Sequence, residues 1–258
     1  MDGILQHFRK EEQPFIEMAM DWAREVEDLY SPKLTDFLDP RQRFIVESVV
    51  KGSGLLVAEN GGFDGAERKR MLIYPDYYEP TRQDFQISVF DVRYASKFLT
   101  LEHPEILGAL MGLGLDRAKF GDIRIKDEDV QLATVMELST YLTANFTSAG
   151  KAKIHLTELS DHTGWIALEE VWTEETQVIS SLRLDTVMAS LLNVARQKSA
   201  TYIHGGKVKV NWRVVDQPSF ELNESDVLSI RGYGRYKVIA IEGRTKKDKI
   251  RLVTGKLE

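Results

Sequence analysis

Arg183-Leu184-Asp185-Thr186-Val187-Met188-Ala189-Ser190-Leu191-Leu192 and, further on, Lys207-Val208-Lys209-Val210-Asn211-Trp212-Arg213 decide how the last third of this 258-residue chain folds. Leu184, Val187, Met188, Leu191 and Leu192 fall at i, i+3, i+4, i+7 and i+8, which puts one buried stripe on a helix. A second, short helix is expected over Arg196 to Ile203, stopped by Gly205-Gly206. In 207–213 apolar and polar residues alternate, as on a strand with one buried face. That reading sends Val208, Val210 and Trp212 inward and presents Lys207, Lys209, Asn211 and Arg213 on the other face. Asp226 precedes a strand from Val227 to Arg231, and Gly243 to Lys249 links two tail strands.

The charge of the chain divides at the same place. Ser181 to Glu258 carries 15 Lys and Arg against 8 Asp and Glu, a net of +7. The 180 residues before it carry 19 against 32, a net of −13, and the two parts give the overall −6. A basic module on an acidic body points to a nucleic-acid partner for the basic end. Arg231, Arg235, Arg244, Lys246, Lys247, Lys249 and Arg251 extend its basic surface.

Outward from this module, the chain reads as α+β. Residues 1–80 form an N-terminal mixed unit. A helix is expected from Arg9 to Tyr30, with Phe15, Met18, Met20, Trp22, Val26 and Leu29 as its apolar positions. Ser31-Pro32 ends it, and Asp39-Pro40 opens a second helix as N-cap and first helical residue. Gly54 to Ala58 and Met71 to Tyr74 read as strands around a turn at Asn60-Gly61-Gly62. Residues 83–157 give strand, helix, strand, strand, helix, strand, the order of a ferredoxin-like, RRM-like unit. Phe85, Ile87 and Val89 share one face of its first strand and Phe90 points to the other. Residues 158–178, polar with Trp165 and Trp172, read as a linker carrying a strand or two, and residues 181–258 are the basic module.

Composition removes several chemistries. Hydrophobic residues at 43 % and charged residues at 29 % are ordinary globular values. With no cysteine there are no disulfides, thiolate zinc sites, iron–sulfur clusters or thiol nucleophiles. The five histidines, at 7, 103, 155, 162 and 204, show no metal spacing. No Gly-x-Ser-x-Gly elbow, P-loop or dinucleotide fingerprint is present. No metal and no cofactor are expected. No apolar run reaches the roughly 18–20 residues of a membrane span, and the polar start is no secretory signal, so a cytoplasmic location is expected.

The C-terminal pattern resembles the S4 (alpha-L) RNA-binding domain. The matching residues are Arg183-Leu184-Asp185, Arg196-Gln197-Lys198-Ser199, Ile203, Gly206, Val208, Val210-Asn211 and Asp226-Val227-Leu228-Ser229-Ile230. The family often has Ser where this chain has Ala195. Asp36-Phe37-Leu38-Asp39-Pro40, the run from Gly61 to Arg70, the run from Leu107 to Ile123 and the closing Arg244 to Lys249 are similar to the YlmH family. That resemblance implies a bacterial protein with RRM-like units ahead of an S4 domain. It implies a role on large ribosomal subunits carrying stalled peptidyl-tRNA, in ribosome-associated quality control. The implied partners are rRNA and the large subunit, with tRNA as a further candidate and a protein partner for the acidic N-terminal units.

Arg183, Asp185, Arg196, Lys198, Lys207, Lys209, Asn211 and Arg213 are the candidate RNA-binding residues, as cations and polar groups on a rigid surface. For Asp185 the alternative is orienting Arg183 or capping the first helix, and for Asn211 it is shaping a turn. Arg68, Lys69, Arg70, Arg117 and Lys119 are candidates for a second RNA contact, against a reading as ordinary solvated charges. Two rival functions remain. Arg183-Leu184-Asp185 is similar to the tripeptide around the catalytic Asp of pseudouridine synthases, several of which carry an S4 domain. In those enzymes, however, the S4 domain precedes a large catalytic domain, and here only a short tail follows residue 240. The other rival is a protein-interaction factor associated with cell division.

Overall fold

The structure, a computed structural model, describes residues 8, 12–160, 164–167, 171–245 and 247–257. Lys246, His7, His162 and the start of the first expected helix lie outside them. The chain forms two compact units, Met1–Leu168 and Glu169–Glu258. No helix among the described residues is long and apolar enough to cross a membrane.

Unit 1 begins with helix α1, Gln13–Leu29, which buries Ile16, Ala19, Ala23 and Val26. The large side chains expected on that stripe, Met18 and Leu29, are exposed instead. Two alanines replace them because small residues let the helix lie close to its neighbours. Strand β1, Lys33–Leu38, has no counterpart in the sequence reading. Its register shifts between Leu34 and Phe37, and that irregularity breaks the two-residue period that would reveal it. Helix α2, Pro40–Val50, starts at a reciprocal cap. The Gln42 N–H donates to Asp39 Oδ1 at 2.9 Å, and the Asp39 N–H donates to Gln42 Oε1 at 2.9 Å. β2, Leu56–Asn60, and β3, Lys69–Tyr74, complete an antiparallel sheet in the order β1-β3-β2.

The second half of unit 1 has β4, Ile87–Tyr94; α3, His103–Gly112; β5, Phe120–Lys126; β6, Asp129–Val135; α4, Ser139–Asn145; β7, Ser148–Ala149; and β8, Ala152–Glu158. The sheet order β5-β6-β4-β8-β7 is the ferredoxin-like order with one short strand added at the edge. Phe90, Val92, Leu132 and Leu156 face the helices and pack on Ile106, Leu110 and Leu142. Phe85 does not belong to the strand. It closes a 3-10 turn, Arg82–Phe85, and Gln86 follows with φ 46°. Phe85 is therefore taken out of the alternation with Ile87 and Val89.

The opposite face of this sheet is the one an RRM uses to stack bases on exposed aromatics. Here it is closed. Phe37, Phe63 and Ala66 of the N-terminal half pack on Val89, Ala133 and Val135. Trp165 packs edge-on to Phe63, and the Gln131 amide holds the same segment through Gly164 O at 2.7 Å and the Ile166 N–H at 2.8 Å. The sheet's central strands offer no aromatic platform, because Phe90 is buried on the helix side.

Unit 2 is a six-stranded antiparallel sheet in the order β11-β10-β12-β13-β14-β9. Its strands are β9, Trp172–Ile179; β10, Val208–Val210; β11, Arg213–Val214; β12, Val227–Ile230; β13, Gly234–Arg244; and β14, Ile250–Leu257. Strand β9 comes from the polar stretch 158–178 and pairs with β14 along its whole length. Helices α5, Leu184–Leu191, and α6, Arg196–His204, lie between β9 and β10. Leu184, Val187, Met188 and Ile203 form the core with Val208, Val210, Leu228 and Leu252.

Gly121 measures how tightly unit 1's halves are joined. A Cβ there would stand 2.7 Å from the Phe37 ring and 3.0 Å from the Ala133 Cβ. Gly121→Ala is expected to cost about 1–3 kcal/mol by overpacking. Gly108, inside α3, has open space around it. Gly108→Ala is expected to stabilise by about 0.5–1 kcal/mol, since glycine is the poorer helix residue. Urea unfolding of the two variants beside wild type checks both signs.

Candidate nucleic-acid interface

The site in unit 2 is built around one carboxylate. Asp185 sits in the first turn of α5 and is 4 % exposed. Arg183 reaches it with Nε at 3.2 Å and Nη2 at 3.0 Å, a two-point fork. Arg196, the first residue of α6, reaches it with Nη2 at 2.9 Å. Thr186 Oγ1 adds a contact at 3.2 Å. The loop 218–221 fixes the backbone beneath: the Leu184 N–H donates to Phe220 O at 2.7 Å and the Asp185 N–H to Pro218 O at 3.1 Å. Burial raises the Asp185 pKa, but the hydrogen bonds from Arg183 and Arg196 outweigh it and hold the carboxyl below its ordinary value.

Both arginines keep an outer surface. Their side chains are 38 % and 54 % exposed, against 6 % for Asp185. One buried acid thus aims two cations without removing them from solvent. At the start of α6, Ala195 is the N-cap and supplies no side-chain acceptor. Helix N-termini favour anions, so Arg196 stands where a phosphate is also favoured by the backbone. Lys198 is exposed on the same helix.

The cationic strand is shorter than its alternation implied. Asn211 and Trp212 both have positive φ, 48° and 64°, and β10 turns there into β11. Lys209 pairs with Val214 and Val210 with Arg213. Paired residues share a face, so Arg213 lies on the side of buried Val210, not beside Lys207 and Lys209. Its guanidinium stands 5.9 Å from the Phe220 ring. Trp212 likewise leaves the face assigned to it. Lys207 and Lys209 are exposed, and Lys207 Nζ lies 5.2 Å from the Tyr202 ring.

Asn211 is committed to the fold. Its Nδ2 donates to Asp226 Oδ1 at 2.7 Å, and its Oδ1 accepts from the Val227 N–H at 2.9 Å. Tyr202 and Tyr233, in edge contact at 5.6 Å beside Lys207, were not among the candidates. Tyr202 sits across the Gly205-Gly206 stop from Lys207, a proximity that no linear period encodes.

Of the second group of cations, Arg68, Arg70 and Lys119 bridge the seam of unit 1, and Lys69 and Arg117 bond within one half of it. Arg68 donates to Phe120 O at 3.1 Å and Phe37 O at 2.7 Å. Arg70, 7 % exposed, donates to Thr35 O at 2.7 Å and to Phe85 O and Gln86 O at 3.0 Å each. Arg117 donates to Phe120 O at 2.6 Å, and burial followed by nearby Arg68 pushes its guanidinium down to about 10. Lys69 pairs with Glu59. Lys119 bridges Asp36 at 3.0 Å and Glu137 at 2.8 Å. Buried carbonyls at strand ends need donors, and guanidinium groups supply several at once. These five side chains do not make an exposed basic patch.

Three family models match the chain. "YlmH, N-terminal" covers residues 11–78, "Putative RNA-binding domain in YlmH" covers 80–163 and "S4 domain" covers 182–228. The chain is 46 % identical over 252 residues to a Bacillus subtilis (strain 168) protein named "Ribosome-associated protein quality control protein P2", and the match covers 98 % of each chain. Among solved structures it is similar to "Cell division protein ylmH from Streptococcus pneumoniae", with TM-score 0.53 and 35 % identity. That match covers 59 % of this chain and 93 % of the other.

The clamp makes a pH prediction. A carboxyl whose folded pKa is lowered adds stability above its unfolded value of about 3.9, and that stability is lost as pH falls through the folded pKa. Asp185→Asn is therefore expected to lower the urea midpoint of unit 2 at pH 7. The gap to wild type is expected to close as pH drops below 3.9 and the wild-type carboxyl protonates. A gap that stays constant between pH 7 and pH 3 would show that the charge of Asp185 is irrelevant to the clamp.

Proposed function

Because the chain belongs to the YlmH family, we propose that it is a non-enzymatic RNA-binding protein of the cytoplasm that docks through its S4 domain on structured rRNA of the large ribosomal subunit. Its role in this reading is ribosome-associated quality control of subunits holding stalled peptidyl-tRNA. The observation that carries the proposal is the Arg183–Asp185–Arg196 clamp, which presents two oriented guanidinium groups, one at the start of α5 and one at the start of α6. Folded RNA offers phosphates and 2′-hydroxyls in a fixed geometry, and planar guanidinium forks suit them. Lys198, Lys207 and Lys209 add exposed cations on the same unit. The name of the Bacillus subtilis relative supports the ribosomal setting.

The place of Asp185 favours binding over catalysis. A base-modifying enzyme of the pseudouridine synthase kind needs its aspartate open to the substrate, whereas Asp185 is nearly covered and already carries two arginines. The name of the similar Streptococcus pneumoniae protein favours a second reading, a protein-interaction factor linked to division. That reading requires protein capture that survives nuclease treatment.

Co-sedimentation with purified large subunits, with and without bound peptidyl-tRNA, tests the proposal. Wild type is expected to bind, and Arg183→Ala/Arg196→Ala and Lys207→Ala/Lys209→Ala are each expected to weaken binding at least tenfold. If three to five phosphates are neutralised, the log–log salt slope for RNA is about −2 to −3.5. Arg117→Met is expected to lower stability and leave the slope unchanged. A wild type that ignores both particles, or binds without salt dependence, would sink the ribosomal reading.

A further inference from the structure

The acidic unit 1 has an exposed aromatic surface at the C-terminal end of α1. Helix α1 ends at Tyr30, which caps it in the left-handed conformation, φ 51° and ψ 41°, a place that favours glycine. The Tyr77 hydroxyl donates to the Tyr30 carbonyl at 2.6 Å, and the two rings stack at 5.2 Å with a 27° angle. Both rings still face solvent: Tyr30 is 62 % exposed and Tyr77 56 %, beside Leu29 at 67 %. Tyr78 and Tyr74 continue the cluster behind Tyr77, at 6.5 Å and then 6.1 Å between rings. The rings are held in place and presented.

In the two segments that carry the rings, 27–30 and 76–79, every charged residue is acidic. Glu27 and Asp28 are exposed in the last turn of α1, which has no basic residue. Acids at a helix C-terminus oppose the helix dipole, so helix stability does not explain them. Asp76 and Glu79 are exposed on either side of the Tyr77-Tyr78 pair. None of these four acids is in an ion pair among the described residues, whereas nearby Lys33 is taken by Glu25 at 2.8 Å.

We propose that Leu29, Tyr30 and Tyr77, rimmed by these four carboxylates, dock an arginine- or lysine-rich segment of a protein partner. Aromatic faces attract cations, and the carboxylates add charge complementarity while repelling a phosphate backbone. An apolar centre with a polar rim is also the anatomy of a protein interface. The proposal is independent of the S4 domain's RNA contact.

The test uses the full chain and a fluorescein-labelled peptide of alternating arginine and glycine, read by fluorescence anisotropy. Wild type is expected to bind it. Tyr30→Ser/Tyr77→Ser, which leaves the charge unchanged, and Glu27→Gln/Asp28→Asn/Asp76→Asn/Glu79→Gln are each expected to weaken binding at least tenfold. Glu174→Gln/Glu175→Gln, in unit 2, is expected to bind as wild type. Unchanged thermal unfolding of the tyrosine variant separates loss of docking from loss of fold, and Leu29→Ser repeats the test should that variant be unstable. Failure of wild type to bind, or equal binding by the tyrosine and Leu29 variants, overturns the proposal. So does binding of a labelled single-stranded RNA that these same variants abolish.

Discussion

Buried guanidinium groups donating to strand-end carbonyls hold unit 1 together, and that interaction governs where the protein can meet RNA. Arg68, Arg70 and Arg117 satisfy Phe37, Thr35, Phe85 and Phe120, which belong to both halves of the unit. Arg124, 3 % exposed, does the same for Ile166 at 2.6 Å and for Asp64. A carbonyl buried without a donor costs roughly 1–3 kcal/mol, so removing Arg68, Arg70 or Arg124 takes the guanidinium donor from Phe37, Thr35 or Ile166 O and exposes the seam to that penalty. The consequence is topological. With the seam closed, the RRM-like sheet has one face on its own helices and the other on the N-terminal half. The surface that an RRM would offer to nucleotides is spent on folding.

Unit 2 uses charge the other way round. In unit 1 cations are drawn inward to feed backbone acceptors. In unit 2 one acid is drawn inward so that two cations point outward. Asp185 fixes Arg183 and Arg196 in fork geometry, and the side-chain entropy of ordering them is lost on folding and not on binding. A bound phosphate would then meet preformed donors. Asn211 and Asp226 perform a related task at the β10–β11 turn, where their hydrogen bond holds the backbone that carries Lys209. The residues that touch the fold and those offered to a ligand are neighbours in sequence with opposite duties.

The legible part of this protein was periodic or carried by a local signal. The stripe of α5, the Asp39 cap and the order of the RRM-like elements each follow from spacing or from one capping residue. The departures at β1, at Phe85 and at Trp212-Arg213 share a cause, a local break in the strand. β1 was hidden by a register shift, and Trp212 and Arg213 were misassigned because the chain turns at Asn211 with positive φ. Two-residue periodicity carries no mark for such a break, and Trp is a rare occupant of a left-handed turn position. The seam was illegible for a different reason. Arg68 lies 52 residues from Phe120, and only tertiary folding brings its guanidinium to Phe120 O. A cation in a sequence looks the same whether it faces water or a buried carbonyl.

The division of charge along the chain completes the argument. A basic module alone binds any polyanion, because the phosphate term is insensitive to sequence. Unit 1, with 19 Lys and Arg against 28 Asp and Glu, is net −9, and unit 2, with 15 against 12, is net +3, so the acidic unit lowers that general attraction for the chain as a whole. Long-range attraction is weakened by the body, yet contacts inside roughly 8–10 Å at physiological salt are governed by the nearest charges. In the proposed reading discrimination rests on shape, since only an RNA that brings its phosphates directly to the clamp gains the short-range energy. The acids of unit 1 have a second consequence at the same range. Where they surround exposed aromatic rings, they turn the face least suited to RNA into one suited to a cationic protein segment.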